Sequence, residues 1–250
     1  MRNIIFLVSV LFLVGCSTVK VYELTPDLKL TSQSVDIDAP PSSYGIFWEA
    51  WYLTSVKNNI QLFRHIPNMM SEDVRITVRT VQPSSIAKTD MLHKNENDAM
   101  EEYEKNYKLS DWEKKNNAER GVTYVKRYVD FIGGLKCATR VESSNIAMGV
   151  GSKSYQTNCN YFDNQNGAKN IHFDYTYTYT HSNTKYDTDK SSSIYSAQTM
   201  QLQFKQDIKA IFDSLVIHDM DREKMSKEGL LYDKKYDVNT EEKIPNNTGM

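Results

Sequence analysis

No stretch of this sequence is apolar for long enough to cross a bilayer. The longest such run, Ile4 to Val14, covers 11 residues and is broken once by Ser9, whereas a spanning helix needs about 20. Cysteine is scarce: three in 250 residues, with no Cys-x-x-Cys pair. No histidine lies close in sequence to Cys137 or Cys159, which argues against a metal pair or a catalytic thiol. Neither sign of charge dominates, since 30 Lys and Arg face 32 Asp and Glu, so nothing draws the chain to nucleic acid or to an anionic lipid surface. The usual enzyme signatures are missing as well. GxSxG, HExxH and the full phosphate-loop spacing do not occur. "SNTK", Ser182 to Lys185, matches SxxK literally, but it stands in a polar turn without KTG or SDN. "HDMD", His218 to Asp221, offers an imidazole and two carboxylates to a metal, yet acids before a short helix read as caps. His65, His93, His172 and His181 lack ligand spacing. The reading is of a protein that is no enzyme and holds no cofactor or metal.

What is present begins with the apolar run itself. Arg2 precedes it, and Leu13, Val14, Gly15 and Cys16 close it, which fits a secretory signal and resembles the bacterial lipobox, where cleavage leaves an acylated cysteine. Residues 1–15 are therefore read as a lipoprotein signal peptide and Cys16 as the lipidated residue. Ser17, where an aspartate would mark inner-membrane retention, points to the outer membrane. Without residues 1–15 the formal charge is 29 minus 32, or −3. Residues 16–43, polar with three prolines, read as a lipidated N-terminus and a tether whose end can form an edge strand, and the folded part is expected to begin near Tyr44.

From there the chain alternates with a period of two. "DVRITVRTV" places Val74, Ile76 and Val78 on one face of a strand. "YGIFWEAWYLTSVKNNIQLF" before it fits neither period cleanly and is read as a strand or strand pair. Residues 88–120 interrupt the pattern with a polar, charge-dense insert in which Met100, Tyr103 and Tyr107 recur at helical spacing over about 96–107. It is read as a solvated helix or, as long insertions are often functional, as an arm that contacts a partner through Tyr103, Tyr107 and Trp112.

"VTYVKRYVDFI", Gly133-Gly134 and "LKCATRVE" form a hairpin signal, because a two-glycine loop supplies the positive φ that tight turns require. Leu135, Cys137, Thr139 and Val141 share one face of the second strand, and Tyr155, Thr157, Cys159 and Tyr161 share one face of the next. Antiparallel pairing of Cys137 with Cys159 also pairs Leu135 with Tyr161, Thr139 with Thr157 and Val141 with Tyr155. The register that joins the sulfurs is the one that matches the inward faces, so a disulfide is expected in an oxidising compartment. In "HFDYTYTYT", Phe173, Tyr175, Tyr177 and Tyr179 make an aromatic ladder, read as core. Ala197, Met200, Phe204, Ile208, Ile211, Phe212 and Leu215 then draw an apolar stripe along a helix at about 196–214. Asp219 or Asp221 can cap a short helix that Gly229 ends. Residues 233–250 read as a polar, mobile tail. The expected fold class is α+β: an antiparallel β-sheet packed by a C-terminal amphipathic helix, with a polar helical insert, in a globular domain spanning 44–232.

The order of segments resembles a known family. "GLKC" after a strand, "SYQTNCNYFD" about twenty residues later, "HFDYTYTYT", and "SLVIHDMDREKMSKEGLLY" after a helix are similar to the periplasmic immunity lipoproteins of type VI secretion systems. The likeness covers roughly residues 128–232 plus the signal. It implies an antitoxin, held in the periplasm by lipid on Cys16 and closed by Cys137–Cys159, that binds and blocks a cognate toxic effector, commonly a phospholipase. The resemblance marks no contact residues and leaves out the insert at 88–120. Two other readings stand beside it: a structural or accessory envelope lipoprotein, and a small-molecule or lipid-binding module with the Phe173 to Tyr179 face lining a groove.

Overall fold

Wherever alternation is sustained in the sequence, a strand results. The structure, a computed structural model, describes residues 22–24, 28–41, 51–55, 59–66, 70–86, 115, 122–146, 150–180 and 197–243. Eight strands build one antiparallel sheet: β1 (Tyr22–Glu23), β4 (Tyr52–Ser55), β5 (Asn59–Ile66), β6 (Met70–Val81), β7 (Val122–Ile132), β8 (Leu135–Ile146), β9 (Val150–Phe162) and β10 (Ala168–Thr180). Their spatial order is β1-β4-β5-β6-β10-β9-β8-β7, and a smaller sheet is ordered β11-β3-β2 from β2 (Lys29–Thr31), β3 (Val35–Asp38) and β11 (Val216–Ile217). Helices α1 (Ala197–Asp213), α2 (Arg222–Lys227) and α3 (Thr240–Lys243) follow in the C-terminal part. The class is α+β and sheet-dominated. No described helix is long and apolar enough to cross a membrane.

The register expected from matched faces is the register found. Cys137 lies opposite Cys159, Thr139 opposite Thr157 and Val141 opposite Tyr155, and the two sulfurs are bonded. Gly133 and Gly134 turn the β7–β8 hairpin with φ of 60° and 82°. Leu135, Cys137, Thr139 and Val141 are all buried, as are Tyr155, Thr157, Cys159 and Tyr161. The ambiguous region around 45–63 contains β4 and β5, paired to each other and through β5 to β6.

Both ends hold more structure than expected, although the edge strand allowed for the tether is there, with β1 at the edge of the large sheet and β2 at the edge of the small one. Residues 16–43, read as a tether, hold β1, β2 and β3, and Leu24, Leu30, Val35, Ile37 and Ala39 from this stretch belong to the core. Strands of two to four residues with charged outward positions, such as Lys29 and Asp36, are too short to show a period. Residues 233–250, read as a mobile tail, include α3, bury Tyr236 and Glu241, and receive a hydrogen bond of 2.9 Å from Lys126 Nζ at the Glu241 carbonyl. The insert helix at 96–107, and with it Tyr103, Tyr107 and Trp112, lies outside the described residues, as does Cys16.

Candidate functional site

The segments that carry the family resemblance meet at one end of the large sheet. Gly134 carbonyl accepts from the Tyr232 amide at 2.9 Å, and Phe162 carbonyl from the Asp221 amide at 2.9 Å. Tyr161 hydroxyl donates to Asp219 at 2.8 Å, Lys169 pairs with the same carboxylate, and the Asn164 amide donates to the Asp219 carbonyl. Met225 is buried with its sulfur 3.4 Å from the Phe162 nitrogen. Gly133 packs so closely on Leu215, just before β11, that an added Cβ would lie 3.3 Å from Leu215 Cδ2. Asp221 caps α2 by accepting from the Lys224 amide at 2.9 Å, and Gly229 leaves that helix with φ of 70°. The "HDMD" acids are thus spent on capping and on ion pairs. His218 Nε2 itself lies 2.9 Å from Asp36 Oδ1. Among the described residues, no group of three or more His, Cys, Asp or Glu could hold a metal ion.

The aromatic ladder is core. Phe212 stands edge-on to Phe173 at 4.8 Å and to Tyr236 at 4.8 Å, while Phe204 lies 5.3 Å from Tyr177 and 6.3 Å from Tyr175. Tyr155 and Tyr175 stack in parallel at 4.7 Å. The crevice beside them, lined by Tyr128, Tyr155, Tyr175, Phe204, Tyr236 and Glu241 among others, has room for about one water. That rules out the Phe173 to Tyr179 groove as a lipid site at its described positions.

Polar side chains inside this core form two networks. In the first, Arg64 donates through Nε to Glu72 at 2.8 Å and lies 3.2 Å from Asp207, which also accepts from Trp51 Nε1 at 3.0 Å. Arg64 stacks 4.6 Å over the Trp51 ring. Burial lifts the Glu72 carboxyl to about 7; Arg64 pulls it down and the nearby Asp207 adds to the rise. In the second, Thr139 donates to Asp130 at 2.8 Å, and Thr157 is 2.8 Å from Thr139 and 3.5 Å from the Tyr175 hydroxyl. A hydroxyl carries one proton, so the Thr139 bond to Asp130 makes Thr157 the donor to Thr139. Burial lifts Asp130 to about 7 as well, and its Oδ1 is buried with no partner. Parity could have exposed both networks: Glu72 falls in step with Val74 and Ile76, Arg64 with Ile60 and Leu62, and Asp130 with Tyr128 and Ile132.

The other face of the large sheet is polar. Arg75, Arg79 and Gln156 are exposed, and Thr77, Asn158, His172, Asp174 and Arg140 are half-buried. His172 Nδ1 meets Asn158 Oδ1 at 3.0 Å, Ser154 meets Thr176 at 2.9 Å, and Gln61 donates to Asp73 at 3.3 Å. Cross-strand bonds of this kind hold side chains in place on a broad, hydrogen-bonding surface. Residues 82–86 lie against one end of it, where Asn160 donates to the Ser85 carbonyl at 3.1 Å and Ile86 is buried. Of the other candidates, "SNTK", His93 and His181 fall outside the described residues. No protein-family model matches this chain, and no curated protein matches its sequence.

Proposed function

We propose that the protein is an immunity lipoprotein, anchored in the periplasm by lipid on Cys16, in the outer membrane, which binds and inhibits a periplasm-acting type VI secretion effector, a phospholipase by the family resemblance. The observation that carries this reading is the meeting of the resembling segments at one end of the sheet: "GLKC", "SYQTNCNYFD" and the stretch Ser214 to Tyr232 bond to one another there. Short motifs that match by chance have no reason to build one structural unit. A stoichiometric inhibitor needs a firm surface more than a reaction centre, and a disulfide-closed sheet with one polar, cross-bonded face supplies one. In this reading α1 is the C-terminal amphipathic helix that closes the apolar face of the sheet, and the polar helical insert at 88–120 is an arm beside the bound toxin, with Tyr103, Tyr107 and Trp112 as contact residues. The protein is not an enzyme and takes no cofactor.

The test is capture. The oxidised chain from Ser17 onward, immobilised and exposed to periplasmic and secreted proteins of its own strain, is expected to retain a hydrolase in equimolar amount, and that hydrolase should lose activity as the protein is added. Retention of envelope-assembly components alone would replace the antitoxin with a structural or accessory envelope lipoprotein.

A further inference from the structure

The failed tether expectation has a geometric consequence for where the domain sits. A tether from Cys16 to residue 43 would let the fold range as far as roughly 90 Å from its anchor. The chain instead enters the large sheet at Tyr22: Tyr22 pairs with Leu53 and Glu23 with Tyr52, the Leu24 amide donates to the Trp51 carbonyl at 2.8 Å, and Leu24 is buried. Five residues, 17–21, lie between Cys16 and that strand, and six backbone steps reach about 22 Å at most. The sheet is wider than this leash, since β4 and β7 are separated by six strand spacings, or roughly 29 Å.

We infer that the domain is held against a lipid headgroup surface with the β1–β4 margin of its large sheet toward the bilayer and the β7–α3 margin away from it. The inference rests on the lipid-anchor reading of Cys16. It adds that one particular margin of the fold faces that membrane, and that a protein ligand must be met within the layer next to the bilayer.

The test uses the full lipidated chain in vesicles carrying an acceptor dye on the lipid headgroups, with a donor dye on Thr54→Cys in β4 or on Asn239→Cys beside α3. Energy transfer from position 54 is expected to be at least about twofold higher than from position 239, given the ~29 Å between their margins. Inserting a 20-residue Gly/Ser segment after Ser17, with a mean reach of roughly 25 Å, should lower transfer at 54 and bring the two positions together. Equal transfer from both positions, or no change on insertion, overturns the apposition while leaving the anchor intact. The anchor is checked separately by the mass of the N-terminal peptide and by vesicle binding of Cys16→Ala. An unacylated chain sinks the anchor reading and the apposition with it.

Discussion

Arg64, between Glu72 and Asp207, sets the terms at the scale of single residues. Among the described residues one guanidinium faces two carboxylates at a site closed to water, and a proton on Glu72 relieves the excess of negative charge among these three groups. Arg64→Met removes the guanidinium that Glu72 and Asp207 share, and breaking a buried pair in this way typically costs about 3–5 kcal/mol; chemical denaturation should show a loss of that order. Glu72→Gln keeps the shape, removes a charge that is costly to bury, and should cost far less. The raised carboxyls of Glu72 and Asp130 also fix a sign for pH. Both titrate near 7 in the fold and near 4 when unfolded, so the folded state binds the extra protons between those values. Their contribution to stability is fully present below about pH 4, and it is lost as pH rises through 7, at up to roughly 1.4 kcal/mol per pH unit per group. Urea midpoints measured from pH 5 to 8.5 should fall, and the fall should be shallower in Glu72→Gln and in Asp130→Asn. A midpoint that rises over this range would show that neither carboxyl is protonated in the fold.

Among the elements, β6, β10 and α1 were legible from period alone, and in the β7–β8 hairpin and the β8–β9 pair the pairing was legible as well. Each of these two shows a full period of two over eight or more residues, and each has a hard constraint besides: two glycines at positive φ, or two cysteines in step with matched faces. The same reasoning predicts what reduction does. Removing the Cys137–Cys159 bond, across a separation of 22 residues, costs on the order of 3 kcal/mol in the chain-entropy model. The register survives, because Thr139 still meets Thr157 and Val141 still meets Tyr155. A Cys137→Ser/Cys159→Ser double variant should therefore melt earlier yet give the same strand-to-strand amide contacts by NMR. The turn is less forgiving. Gly134→Val forces a β-branched residue to φ of 82° and should destabilise by more than about 1 kcal/mol. What was illegible was charge turned inward. Lys126 and Asp130 on the edge strand β7 are buried, and inward charges on an edge strand hinder pairing with a second sheet. A reader who assigns every charge to solvent misses both residues, although their parity places them with Tyr128 and Ile132.

At the scale of the whole molecule, the boundaries drawn from composition differ from those drawn by burial, and stability separates the two. Composition starts the fold near Tyr44 and ends it at residue 232, because polar, proline-containing ends show no period. Burial includes Leu24, Leu30, Val35, Ile37 and Ala39 before that start and Tyr236 and Glu241 after that end. Fully burying a large apolar side chain contributes about 1.5–3 kcal/mol, and a domain's net stability is only about 5–15 kcal/mol, so the four larger residues of the N-terminal set alone carry an amount comparable to the whole. Loss of the N-terminal stretch also strips β3 from β11 and uncovers the strand β4 that β1 had paired. A chain beginning at Tyr44 is accordingly expected to be insoluble or to lack a cooperative thermal transition, while one beginning at Ser17 melts in a single step. Ending the chain at residue 232 removes Tyr236 from Phe212 and Glu241 from Lys126 and Tyr155, and should lower the melting temperature without abolishing the transition, since the N-terminal strands and the disulfide remain. Calorimetry on the three chains decides the matter: a normal transition in the chain beginning at Tyr44 would return residues 16–43 to the role of a tether and lengthen the leash on which the proposed membrane apposition depends.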